Sequence, residues 1–188
     1  NDERLFASVR RTRHEGTLDL ATLVSDHLGQ HPPDVDLTSD DIAFLTYTSG
    51  TTGVPKGAMN THGNVVFNSQ TLRDWIQLGP SDSILGVAPL FHITGLVAHI
   101  ALAMLLPAPL VLAYRFEPGV MLDTIREHRP TFTLGAITVF IAMMNNPDVA
   151  ADDLASLGKI YSGGAPIAPA VAESYRQRFG TCIHNAYG

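Results

Sequence analysis

Residues 110–145 read LVLAYRFEPGVMLDTIREHRPTFTLGAITVFIAMMN, and the order of patterns in this stretch decides the fold class. An apolar run at 110–114 predicts a strand, 118–128 a helix, 131–134 a second strand and 138–145 a second helix. Working outward, residues 83–88 predict a strand and 96–106 a helix before it. Further upstream, Val65, Leu72, Trp75 and Ile76 fall near helical spacing until Gly79-Pro80 stops them. Residues 42–47 (IAFLTY) form a β-rich run that ends in a Gly/Thr loop. Downstream, 159–162 predicts a short strand and 169–179 a helix with Val171, Tyr175 and Phe179 on one face. A last strand is expected at 182–185. Repeated strand–helix–strand units with short loops imply an α/β fold, a parallel sheet covered by helices. Ligands of such sheets bind beyond the carboxyl ends of the strands. The loops at 48–57, 89–95 and 163–166 are expected at those ends.

Composition narrows the function classes. The chain has 188 residues, 45% hydrophobic and 16% charged, long enough for a real core and too apolar for intrinsic disorder. Its mean hydropathy is +0.12 and its pI about 5.7. A net charge of -6 argues against nucleic acid as a partner, since phosphate neutralisation needs a basic face. The single cysteine, Cys182, forms no internal disulfide, and no paired Cys/His spacing suggests zinc. A cytoplasmic location is expected, and the charged N-terminus is no secretory signal. Residues 84–114 carry no Asp, Glu, Lys or Arg, and 96–106 is apolar except for His99. Gly86, Pro89, His92 and Gly95 on one side, and Pro107 and Pro109 on the other, leave a helix shorter than the roughly 20 residues a membrane span needs. No transmembrane segment is expected.

Thirteen of the 30 formal charges fall in the first 41 residues, so the chain divides into a charged segment and connector (1–41), with a surface helix at about 18–28, and an α/β part (42–188). The strongest chemical signal is Thr48-Ser49-Gly50-Thr51-Thr52-Gly53-Val54-Pro55-Lys56-Gly57. Its glycines let backbone N–H groups approach an anion, its hydroxyls add donors, and Lys56, one of two lysines, adds a mobile charge. Together they read as a polyphosphate grip. It is not a Walker loop, because Pro55 and Gly57 flank the lysine where Gly and a hydroxyl residue belong. The competing reading is a solvated Gly/Thr turn.

The segment TYTSGTTGVPKGAMNTHGN (46–64) resembles the phosphate loop of the adenylate-forming superfamily of acyl-CoA and aryl-CoA ligases, luciferases and peptide-synthetase adenylation domains. APLFHITGL (88–96) resembles that superfamily's acyl-side loop, YSGGAPIAP (161–169) its adenine- and acyl-lining loop, and HNAYG (184–188) the start of its Tyr-Gly-x-Thr-Glu motif. The resemblance implies that this is an internal piece of the large N-terminal domain of an acyl-CoA synthetase-like enzyme, without the downstream magnesium-binding Glu, ribose-binding Asp or C-terminal catalytic Lys. On that resemblance, Thr48, Ser49, Gly50, Thr51, Thr52, Gly53 and Lys56 hold the β- and γ-phosphates of ATP, and Thr48 approaches Mg²⁺. His92 stands at the acyl tunnel near the carboxylate, with a core histidine bonded to backbone as its alternative. Gly163, Gly164 and Ala165 form a flat edge against adenine; the alternative there is an ordinary turn ahead of a helix. Asn185, Ala186, Tyr187 and Gly188 complete the adenine pocket, with Tyr187 stacked on the purine. His99 reads as a core histidine, and His62 and Asn64 as parts of a helix cap.

The implied activity is an ATP-dependent carboxylate–CoA ligase acting on a small-molecule carboxylic acid, a fatty acid first and an aryl acid second, with ATP, Mg²⁺ and coenzyme A. Lys56 and His92 are its catalytic candidates. The rivals are a non-catalytic nucleotide-binding module and a scaffold with a vestigial loop. Without the missing parts, the piece alone is expected to be inactive and to self-associate through exposed apolar surface.

Overall fold

In the computed structural model, residues 3–5, 14–48 and 53–187 are described. A short helix α1 (Leu20–Asp26) lies within the expected surface stretch. It is capped by Asp19, buries none of its residues and so adds little to the core. Strands β1 (Ile42–Thr48) and β2 (Lys56–Thr61) pair antiparallel as a hairpin, with Thr48 opposite Lys56 at its tip. Helix α2 (His62–Ile76) follows directly. Thr61 caps it, accepting from the Asn64 N–H while the Asn64 side chain accepts from the Thr61 N–H. This reciprocal capping box satisfies two of the donors that a helix start leaves open.

The remaining strands make one five-stranded parallel sheet: β3 (Ile84–Gly86), β4 (Leu110–Leu112), β5 (Phe132–Gly135), β6 (Lys159–Ser162) and β7 (Ile183–Asn185). Their spatial order is β4-β3-β5-β6-β7. The chain steps one way from β3 to β4, crosses back over β3 to β5, and continues the other way. A π-helix (Gly95–Ala101) running into α3 (Leu102–Leu105) makes the first crossover, and α4 (Pro118–His128), α5 (Ile137–Met144) and α6 (Pro169–Phe179) make the rest. Pro118 and Pro169 sit in the first turns of their helices, where a missing N–H costs nothing, and Gly180 ends α6 at φ 69°.

Alternation along each strand sends side chains to two apolar layers. Ile84, Phe132 and Leu134 pack with Ile76, Ala98 and Leu102 beneath α2, the π-helix and α3. Leu85, Ile160 and Ile183 pack with Ile125, Phe140 and Tyr175 beneath α4, α5 and α6. A sheet covered on both faces explains why its strands read as apolar runs. Among the described residues, no helix is long and apolar enough to cross a membrane.

One expectation is corrected here. Thr48 and Lys56 are not at a carboxyl end of the parallel sheet: β1 belongs to the separate hairpin, whose second strand takes in 56–57, read as loop, and 58–61, for which the sequence predicts no element. The other two loops follow β3 and β6, as expected.

Candidate functional site at the strand ends

The strand order reverses between β3 and β5, and there the sheet opens. The β3–β5 ladder ends at Leu85 opposite Thr133, while β5 goes on pairing with β6 as far as Gly135 opposite Ser162. A cavity of about 700 Å³ occupies the crevice. Its walls are residues 87–89 after β3, 135–139 after β5, 163–165 after β6 and 186–187 after β7, with Leu72 and Trp75 of α2 across from them. A recess of about 320 Å³ extends it between α2 and the π-helix, past Ile93, Val97 and Ala98. None of the described residues lining the cavity is Asp, Glu, Lys or Arg. Its walls suit an apolar group, and an anion at its mouth depends on His92, hydroxyls and backbone N–H groups.

Gly163, Gly164, Ala165, Ala186 and Tyr187 come together as read from sequence. The Gly163 N–H donates to the Gly135 carbonyl (3.1 Å), Gly164 N–H to Tyr187 O (2.6 Å) and Ala186 N–H to Ser162 O (2.7 Å). A Cβ on Gly163 would stand 3.0 Å from Tyr187 O, and Gly164 sits at φ +83°. The two glycines thus make a backbone edge that no other residue pair reproduces without strain. Tyr187 is 89% exposed and lines the cavity, which suits its ring to stack on a planar group. Asn185 lies on β7 opposite Ser162 and does not line the cavity. Gly188 lies outside the described residues.

His92 lines the cavity and is exposed. Its Nδ1 accepts from the Thr94 N–H (3.2 Å), which leaves the proton of the neutral ring on Nε2. Its backbone is fixed on both sides, donating to Pro89 O and accepting from Leu96 N–H, each at 3.0 Å.

Thr48, Gly53 and Lys56 are not brought to the cavity. Lys56 begins β2, exposed, while Asn60 four residues along that strand lines the recess. At about 3.3 Å per residue, Lys56 stands about 13 Å further out. The Thr48 hydroxyl sits 3.4 Å from the Lys56 carbonyl. Ser49, Gly50, Thr51 and Thr52 lie outside the described residues. Among the described residues, no group of three or more His, Cys, Asp or Glu side chains is placed to hold a metal.

Two features escaped the sequence reading. Residues 135–139 form a full wall, although the rule that points to carboxyl ends applies to β5 as much as to its neighbours. Trp75 and Leu72, read only as apolar positions at helical spacing, line the cavity. His99 is the core histidine read from sequence, fully buried with its Nε2 3.0 Å from the Leu134 carbonyl. Burial pushes its pKa down to about 4, outweighing the bond to Leu134, so the ring is neutral at pH 7 with its proton on Nε2.

Residues 3–188 match the protein family described as AMP-binding enzyme. Feruloyl-CoA synthase of an Amycolatopsis species is 35% identical over 163 residues, which is 87% of this chain and 33% of that protein. The long-chain-fatty-acid–CoA ligase of Bacillus subtilis is 34% identical over 151 residues, 79% of this chain and 27% of that protein. Among solved structures, ATP-bound MatB from Rhodopseudomonas palustris superposes with a TM-score of 0.74 at 28% identity, covering 82% of this chain and 30% of that one. The chain therefore spans about a third of the length of the relatives it matches.

Proposed function

Since the chain belongs to the AMP-binding enzyme family, we propose that it supplies the acid- and adenine-binding face of an ATP-dependent carboxylate–CoA ligase whose acid is a fatty acid. The observation that carries this reading is the convergence of residues 88–89, 92–94, 163–165 and 186–187 on one cavity, lined among the described residues by no Asp, Glu, Lys or Arg, where the strand order reverses. The acyl chain lies along Leu72, Val97, Ala98 and Leu134, with its carboxylate at the mouth beside the Nε2–H of His92. The edge of Gly163, Gly164 and Ala165, with Tyr187 above it, receives the adenine. Thr48 and Lys56, at the end of the hairpin, grip the triphosphate, and the Thr48 hydroxyl would help hold a Mg²⁺ ion, which would screen phosphate charge. ATP supplies the adenylyl group and the pyrophosphate leaving group; coenzyme A supplies the accepting thiol. What the chain's own residues do is hold the two reactants in line and neutralise charge on the departing group, Lys56 acting as a point charge and not as a base.

Lys56→Ala in the full-length protein is expected to slow acid-dependent ATP–pyrophosphate exchange by about 10- to 150-fold, the loss of one charged hydrogen bond worth about 1.5–3 kcal/mol. Unchanged exchange would remove the phosphate role. His92→Ala is expected to raise the KM for the acid while leaving that for ATP within about twofold, the signature of a lost ground-state contact to one substrate only. A change confined to ATP would assign the loop at 88–94 to the nucleotide instead.

An aryl acid is the second reading, favoured by one observation: Trp75 and Tyr187 both line the cavity, and flat rings stack on aromatic walls. Comparing kcat/KM for dodecanoate and for a hydroxycinnamate separates the two.

A further inference from the structure

We infer that His99 is a positioning residue of the acid-side cavity, tying the π-helix on one wall to the end of β5 on the other. This rests on the cavity being the acid site. Three observations carry it. The first is where the bond falls. In a parallel strand successive carbonyls point to opposite neighbours; that of Gly135 accepts from Gly163 after β6, so that of Leu134 faces the β3 side. There the β3–β5 ladder has already ended, at Leu85 opposite Thr133. Leu134 O thus has no strand to bond to, and the His99 Nε2–H takes that place at 3.0 Å.

The second observation is what the bond joins. Val97 and Ala98, beside His99, line the recess, and Leu134 lines both the recess and the main cavity. The third is the helix itself. Its turns at Gly95–Ala101 are π-helical, a wider coil than the α form and one that needs tertiary support. Its first residue is fitted against the loop after β3, since a Cβ on Gly95 would stand 2.2 Å from Pro89 O. His99 fixes the other end. The ring's Nδ1, buried, has no hydrogen-bond partner among the described residues, so the imidazole is not the filler an apolar layer would favour for packing alone. A leucine would fill the same space and leave Leu134 O unpaired.

The test uses the full-length protein with His99→Leu, which keeps the bulk and removes the donor, and His99→Gln, whose amide N–H reaches the same carbonyl. His99→Leu is expected to raise the KM for the carboxylic acid about tenfold, the scale of one lost hydrogen bond, with the KM for ATP within about twofold. His99→Gln is expected to recover most of the loss. Hydrogen–deuterium exchange, which needs no turnover, is expected to speed up in peptides covering 93–106 and 132–140 of His99→Leu but not of His99→Gln, with 118–128 unchanged in both. Wild-type protein that uses no carboxylic acid would fail the reading of the cavity, and the exchange pattern would still decide whether His99 ties the two walls. Equal shifts of both KM values, no difference between the two variants, or exchange that rises uniformly would overturn the proposal.

Discussion

Replacing Gly95 with alanine is expected to cut acid-dependent kcat/KM on the order of 100-fold, the scale on which an ångström of misplacement is felt. The added Cβ would lie 2.2 Å from Pro89 O and 2.8 Å from Leu90 Cα. Both are backbone atoms, so no side-chain rotation relieves the clash; either the loop after β3 or the start of the π-helix must move. His92 rides between them. Its N–H donates to the same Pro89 carbonyl, its own carbonyl accepts from Leu96, and its ring accepts from Thr94. Any relief of the clash therefore turns the imidazole. Overpacking of this kind also costs about 1–3 kcal/mol of stability, read from urea unfolding. Gly158→Ala serves as control, since its Cβ would meet nothing within 4 Å and its φ is not in the left-handed range. A Gly95→Ala protein with wild-type kinetics would show that the loop and helix are not held by this contact.

Sequence reading placed α4, α6 and β6 at the bounds observed, because each pairs a clear period with punctuation. Pro118 and Pro169 open helices, and 159–162 is a short run between turns. It missed β2. The residues 56–61, KGAMNT, show no alternation and are exposed or half-buried throughout; they form a strand only because β1 offers a pairing edge, and that is non-local information. The same gap misplaced Thr48 and Lys56 at the parallel sheet, when they pair with each other at the end of a separate hairpin. The π-helical turns carried no signal either. Their support, Gly95 against Pro89 and His99 against Leu134, joins residues 6 and 35 apart in sequence.

The candidate site divides along the same line. Loops with glycine or a lone histidine in an apolar setting could be picked out, since each is odd for a core and apt for a ligand. Residues 135–139 and Trp75 could not, because apolar residues after a strand or on a helix face look alike whether they border core or cavity. What distinguishes them is the strand order, with β4 lying outside β3, and that order sets where the sheet opens.

Lys159→Met is expected to destabilise the protein by about 3 kcal/mol at pH 7, the lower end for breaking a buried pair because the lysine is itself partly exposed. The pair lies at the amino ends of the strands, opposite the cavity. Asp82 is only 8% exposed. It accepts from Lys159 Nζ (2.9 Å) and the Gly79 N–H (2.8 Å) on one oxygen and from the Thr131 hydroxyl (2.8 Å) on the other. Lys159 also donates to Gln77 O at 2.8 Å, so a single network joins the end of α2 to the starts of β3, β5 and β6. Burial raises the Asp82 pKa, but Lys159, Gly79 and Thr131 together outweigh it and hold the carboxyl below its ordinary range. A depressed carboxyl contributes stability that is fully present above its unfolded pKa, about 3.9, and is lost as pH falls through the folded value. With the lysine gone, burial is less opposed and the folded pKa rises toward the unfolded one, so this carboxyl's pH-dependent contribution shrinks and the variant should lose less stability than the wild type as pH falls, the gap between them narrowing. Denaturant midpoints measured from pH 7 down to pH 3 would show both effects. Adding Asp82→Asn should recover part of the loss, because it removes the charge that Lys159→Met leaves uncompensated. A double variant no more stable than Lys159→Met alone would mean that the damage comes from lost packing of the lysine stem and not from the buried carboxylate.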